Sequence, residues 1–171
     1  MKIQHGLLIA GSLLLAAGCS NDVAAPTPVE TAPVDMAVAE TEVRNFIEQY
    51  NADYGANDLD KYFASFAPDL TQWWPSGRVD LQTYETGWRK NVANGGGNAK
   101  VAVTDLRIQV DPTGDAAVAT YVLEVTPRVK GEPQTTIERN QETDVLFKRD
   151  GQWKVVHVNY GPAADPKKPA N

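Results

Sequence analysis

Cysteine is almost absent from this 171-residue chain, Cys19 being the only one. No intramolecular disulfide can form, so any folded domain must be held by packing. Histidine is nearly as scarce: His5 and His157 are the two present. That excludes a metal centre built from several imidazoles, and no metal is expected. Basic residues are outnumbered, 16 Lys and Arg against 22 Asp and Glu, for a formal charge of −6. Such a balance argues against nucleic acid as a partner, since phosphates need clustered cations. The short positive runs Lys148-Arg149 and Lys167-Lys168 read as solvated surface. A phosphate-cradling loop is also missing, because Gly95-Gly96-Gly97 has no following Lys-Ser/Thr and no helix start. It reads as a turn, and no cofactor is expected. Finally, the uncharged apolar stretch at residues 7–17 is too brief to span a bilayer, which takes about 20 residues.

That short stretch suits a signal peptide, with Met1-Lys2 supplying the positive start. It leads through Ala16-Ala17-Gly18 into the lone cysteine. The segment Leu15-Ala16-Ala17-Gly18-Cys19 resembles the lipobox of bacterial lipoproteins, with Ala16 standing where Leu is more usual. The resemblance implies cleavage after residue 18 and acylation of Cys19. Two or three acyl chains exceed the threshold for stable membrane anchoring. Ser20 occupies the position where Asp marks inner-membrane retention in that family. The implied location is therefore the outer membrane, facing the periplasm.

Residues 19–39 contain Pro26, Pro28 and Pro33 without sustained periodicity, and read as a lipidated cysteine followed by a stiff tether. Residues 162–171 read as a loose tail. The domain is expected at 40–161, with no internal repeat. Val43, Phe46, Ile47, Tyr50 and Tyr54 recur at helical spacing over residues 40–54, with Gly55 placed to stop the helix. Asn57 is expected to cap a second helix carrying Leu59, Tyr62, Phe63 and Phe66, ended by Pro68. After an extended piece at 70–74 and the turn Pro75-Ser76-Gly77, Asp80 caps a third helix with Leu81, Tyr84, Trp88 and Val92 on one side.

From residue 99 the period becomes two. Val101 and Val103 alternate, then Leu106, Ile108 and Val110 alternate on the other parity, as across a β-bulge. Strands follow at 116–126, 135–149 and 152–160, the last two joined by Asp150-Gly151, the strongest hairpin signal in the chain. Three helices followed by a long, bent antiparallel sheet predict an α+β fold with the helices against the concave face.

Two segments, Gln141-Glu142-Thr143-Asp144-Val145 and Lys148-Arg149-Asp150-Gly151-Gln152-Trp153-Lys154-Val155-Val156-His157, resemble the last hairpin of nuclear transport factor 2-like domains. They are most similar to the calcium/calmodulin-dependent kinase II association domain and its SnoaL-like bacterial relatives. Helix order and Asp69–Trp74-Pro75 agree over residues 40–161. The resemblance implies a cone with a pocket at its open end, and a homo-dimer or higher homo-oligomer built through the outer sheet face. Its members include isomerases, cyclases, hydrolases and non-catalytic modules, so fold alone does not supply function. The kinase domain lines its pocket with arginines; the matching positions here are Leu123, Asp144 and Tyr160. A second histidine frequent in relatives is Asn159 here.

With a two-residue turn, Arg149 pairs with Gln152, which places Asp144 opposite His157 and Glu142 opposite Asn159. Strict alternation puts Trp153, Val155, His157 and Asn159 on one inward face. Asp144 and His157 are thus the candidate acid–base pair, although adjacent-strand Asp–His pairs also serve as structural supports. Alternation sends one of Trp73 and Trp74 inward, as core, ligand platform or oligomer contact. Tyr50, Tyr54 and Tyr121 are candidates to turn hydroxyls into the pocket, whereas Trp88 and Trp153 read as core. Two functions stay open: a non-catalytic module binding a small apolar ligand or assembling with itself, and a pocket enzyme using Asp144 and His157.

Overall fold

The computed structural model describes residues 34–164. Cys19, the signal segment, residues 19–33 of the tether and residues 165–171 of the tail lie outside them. Asp35 opens α1 (Met36–Ala56) by accepting from the amides of Ala37 and Val38, satisfying donors that the first helical turn leaves free. The helix therefore claims residues 36–39, which the sequence pattern assigns to the tether. Gly55 does not stop it. Asn57 does, in the left-handed region at φ 59°, its N–H reaching the carbonyls of Asp53 and Tyr54. Gly55 instead permits close approach of a strand: a Cβ there would stand 3.2 Å from Val101 Cβ. The short α2 (Leu59–Ala64) is capped by Asp58, not Asn57. Asp80 caps α3 (Leu81–Ala93) as expected, accepting from Thr83 N at 2.8 Å.

Six strands follow or intervene: β1 (Phe66–Trp74), β2 (Gly77–Val79), β3 (Gly97–Val110), β4 (Ala116–Arg128), β5 (Glu138–Arg149) and β6 (Gln152–Pro162). They form one unclosed sheet in the order β2-β1-β6-β5-β4-β3. The α+β class is as expected, but the sheet is not wholly antiparallel, since β1 and β6 run parallel. No hairpin joins those two; α3 and four strands intervene, so the connection does not force opposite directions. The bulge in β3 lies where the parity slips, between Thr104 and Arg107, with Asp105 at φ 52°.

The β5–β6 turn has Asp150 at φ 52° and Gly151 at φ 75°, and Arg149 faces Gln152 as read from the sequence. Past it, the register changes. Leu146 pairs with Val155 but Val145 pairs with His157, so Val156 is an extra residue on β6. Asp144 consequently faces Val158, Thr143 faces Asn159, and Glu142 faces Tyr160.

Val43 and Ile47 of α1 have no exposed surface and pack on Ala119, Leu146 and Trp153. Each such aliphatic side chain contributes about 1.5–3 kcal/mol of burial. A second cluster gathers Tyr50, Tyr62, Phe63, Phe66, Leu70, Val155 and Val158 where α1 and α2 meet β1 and β6. Polar clamps hold the layers in register. Lys148 Nζ and Trp153 Nε1 both donate to Glu42 Oε2, at 2.6 and 3.2 Å, and Arg149 grips Asp69 through two bonds of 2.6 and 2.9 Å.

Candidate functional site

The concave face of the sheet is a ladder of rows, each set by strand register. Ala117, Leu146, Val155 and Phe66 form a wholly apolar row. Above it lie Ala119, Asp144, Val158 and Gln72, then Tyr121, Glu142 and Tyr160, with Trp74 beside Tyr160 at 5.8 Å between ring centroids. The helices close the other side. The space between is a cavity of about 520 Å³, walled by Tyr50, Tyr54, Tyr62, Trp74, Tyr84, Trp88, Tyr160 and a few amides and carboxyls.

Its aromatic walls interlock. Tyr50 stacks on Tyr62 at 5.0 Å, Tyr54 meets Trp88 edge-on at 5.2 Å, and Trp74 meets Tyr84 edge-on at 5.1 Å. Their hydroxyls form a chain, Tyr50 to Tyr62 at 3.4 Å and Tyr62 to Tyr84 at 2.7 Å. Burial pushes all of these phenols, and Tyr54, well above their ordinary range, and holds Tyr160 at about 12. They are neutral donors throughout the physiological range.

Behind this wall sits a buried carboxyl pair. The phenolic oxygen of Tyr121 lies 2.9 Å from Glu142 Oε1 and 2.8 Å from Asp144 Oδ2, and Asn51 Nδ2 donates to it at 3.3 Å. A phenol has one proton to give, so two carboxylate acceptors cannot both be served. The second contact is satisfied when a protonated carboxyl donates to the phenol. Burial is the main cause that lifts both groups. Asp144, with no exposed surface and Glu142 beside it, goes far above the carboxylate range. Glu142 is pushed up to about 7, partly restrained by hydrogen bonds from Tyr121 and Asp144. Asp144 therefore holds a proton at neutral pH while Glu142, on the cavity wall, is poised to gain or lose one.

The structure separates the expected Asp144–His157 pair. The extra residue Val156 turns His157 to the outer face, where its Nδ1 meets Thr71 Oγ1 at 2.7 Å. Asn159 is turned outward with it and lies on the outer sheet face, exposed. Trp73 also points outward, half exposed, with Arg78 over its ring at 5.1 Å. Tyr50, Tyr54, Trp74 and Glu142 do line the cavity. Tyr121 is buried beneath it and meets its wall through Glu142 and Asn51. Trp153 is core, whereas Trp88 is half-buried, packing against the second cluster and also lining the cavity. The sequence reading missed Gln72, Tyr62 and Tyr84, whereas Tyr160, matched there to a pocket position of the kinase domain, does line the cavity. The signal was available in part: tyrosine, not phenylalanine, at apolar-stripe positions leaves a hydroxyl needing a partner. Among the described residues, no three His, Cys, Asp or Glu side chains converge as metal ligands.

The SnoaL-like domain model matches residues 43–165, nearly all of the folded part. The chain belongs to the SnoaL-like family. No protein of curated function matches it. Solved structures share the fold of this SnoaL-like domain. A nuclear transport factor 2-like protein from Pseudomonas putida superposes with a TM-score of 0.61 at 18% identity, over 80% of this chain and 93% of that one. A candidate scytalone dehydratase from Novosphingobium aromaticivorans gives 0.64 at 16%, over 80% and 91%. A candidate calcium/calmodulin-dependent kinase II association domain from Xanthomonas campestris gives 0.56 at 18%, over 74% and 88%. At these identities the likeness speaks for the fold. Where the kinase domain was expected to carry arginines, this chain has inward-facing Leu123, Asp144 and Tyr160, all buried or half-buried.

Proposed function

We propose that this SnoaL-like domain is a binding module for a small, mainly apolar ligand, tethered at the cell envelope through acylated Cys19. The observation that carries the binding reading is the cavity itself: about 520 Å³, walled by aromatic faces with a few polar groups among them. That is the size and chemistry of small-molecule sites. The envelope address rests on the Leu15–Cys19 segment, and self-association on the outer face of β4 and β5, where Phe147 is exposed. The binding reading is tested by native mass spectrometry of the purified full-length protein beside its Trp74→Ala variant. A reproducible extra mass that the variant lacks supports it. An empty chain that also shows no tryptophan fluorescence response to small aromatic probes overturns it.

A second reading, proton-transfer catalysis, is favoured by one observation, the position of Glu142. A wall carboxyl held at about 7 can both accept and donate a proton near neutral pH. In that reading Glu142 takes the role expected of Asp144 and His157, Asp144 and Tyr121 orient it, and the phenol chain donates to developing negative charge.

A further inference from the structure

The charges around the cavity are of one sign. Among its lining residues, Glu138 and Glu142 are acidic, and no Lys, Arg or His is present. Several of the chain's cations are engaged elsewhere: Arg149 with Asp69, Lys148 with Glu42, Arg89 with Asp60 and Glu85, Arg139 with Glu124, and Arg128 with the carbonyl of Gly96. Ionised Glu142 would therefore be a buried carboxylate without an internal counter-ion, a state proteins avoid by neutralisation or pairing. The cavity around it is walled by electron-rich rings, whose faces attract organic cations.

A second observation points to a ligand independently. Gln72 is 3% exposed and lines the cavity, yet its Nε2 makes no hydrogen bond among the described residues. Its orientation is fixed, because Oε1 accepts from Trp74 Nε1 at 3.3 Å. The free donor lies one row from Glu142, offered to an acceptor atom from outside the chain.

We propose that the ligand class this cavity selects is an organic cation: an ammonium on a ring-sized apolar body, its charge seated against Glu142 among the aromatic faces and an oxygen acceptor turned to Gln72. The inference rests on the binding reading above and names its ligand class. Binding ionises Glu142 and expels the proton it carries below neutral pH. The titratable groups facing Glu142 are Tyr50 and Tyr54 of α1, Tyr62 of α2, Tyr84 of α3, Tyr121 of β4, Glu138 and Asp144 of β5, and Tyr160 of β6. None of them brings a positive charge.

The test uses three probes of one skeleton, each with an ether oxygen: 2-phenoxyethylammonium, 2-phenoxyethanol and phenoxyacetate. Their binding to the full-length protein is measured by isothermal titration calorimetry at pH 6 and pH 8. The ammonium is expected to bind at least tenfold tighter than the alcohol at pH 8, and phenoxyacetate more weakly than either. With Glu142 at about 7, the ammonium loses about tenfold in affinity at pH 6, and buffers of different ionisation heat reveal proton release. In E142Q the ammonium's advantage over the alcohol disappears. Equal binding of ammonium and alcohol, or preference for the anion, overturns the cation inference and leaves the pocket reading standing. If none of the three binds and native mass spectrometry shows no bound mass, both fall.

Discussion

The hydroxyl of Tyr121 stands 2.8 Å from Oδ2 of Asp144, a carboxyl with no exposed surface, and that contact governs what the cavity wall can do. Asp144 Oδ1 has no partner among the described residues, so Tyr121 is its main tie, with Glu142 alongside. Removing the phenol in Tyr121→Phe withdraws a bond that favours ionised Glu142. The Glu142 carboxyl then titrates higher than in the parent, by a margin readable from its side-chain carbon shift in NMR titration. An unchanged or lowered midpoint would show that Tyr121 does not hold this pair.

Stability should fall as pH rises through the neutral range. Glu142 and Asp144 have raised values, so the folded state binds more protons than the unfolded state above pH ~4.5. The stabilisation is complete below that point and is lost for Glu142 by about pH 7, up to about 3 kcal/mol. Asp111 works oppositely. Hydrogen bonds from the Thr113 hydroxyl and from backbone amides hold it at about 2, so its contribution is lost only in strong acid. Thermal melts across pH 4–8 check this, and Glu142→Gln should flatten the neutral limb. A melting temperature that climbs towards pH 8 would contradict it.

Adjacent tryptophans should behave differently. Trp74→Ala opens the cavity wall and lowers both ligand affinity and stability, the latter by about 1.5–3 kcal/mol because the ring is half-buried. Trp73→Ala removes a half-exposed ring stacked with Arg78 and should cost under about 1 kcal/mol. Urea denaturation and probe titration of the two variants side by side decide it.

His157→Asn should leave cavity binding, and any turnover found later, unchanged. It removes one exposed bond to Thr71, worth about 0.5–1.5 kcal/mol. A hundredfold loss of function in this variant would restore histidine chemistry that the register separates from the cavity.

Cys19→Ala should move the protein from the membrane to the soluble fraction of the expressing cell and abolish incorporation of labelled fatty acid. Retention in the membrane without label would point to a different anchor.

The stripes of α1 and α3 were legible because periodic apolar residues decide which way a helix faces. The parity slip in β3 was legible for the same reason. The same clue was present in β6 and gave a wrong phase. Trp153 and Val155 alternate, but Val156 adds a third apolar residue and Val158 and Tyr160 then alternate on the opposite parity. Strict alternation from Trp153 carried His157 and Asn159 inward; the slip carries them out. Asp144 and Glu142 were placed on the correct face, since β5 has no slip between Asn140 and Leu146. Their shared proton was not legible, because it depends on Tyr121 from another strand and on Asn51 from α1 meeting at one oxygen.

β3 is a border of the sheet among the described residues, and at 14 residues it is the longest strand. A flat border of that length offers its backbone to any other chain. At Asp105 the strand breaks step with a left-handed residue, and the exposed pair Asp105–Arg107 marks the spot with charge. The bulge that bends the sheet around the cavity thus also interrupts the row of backbone groups that a second copy would need for edge-to-edge polymerisation.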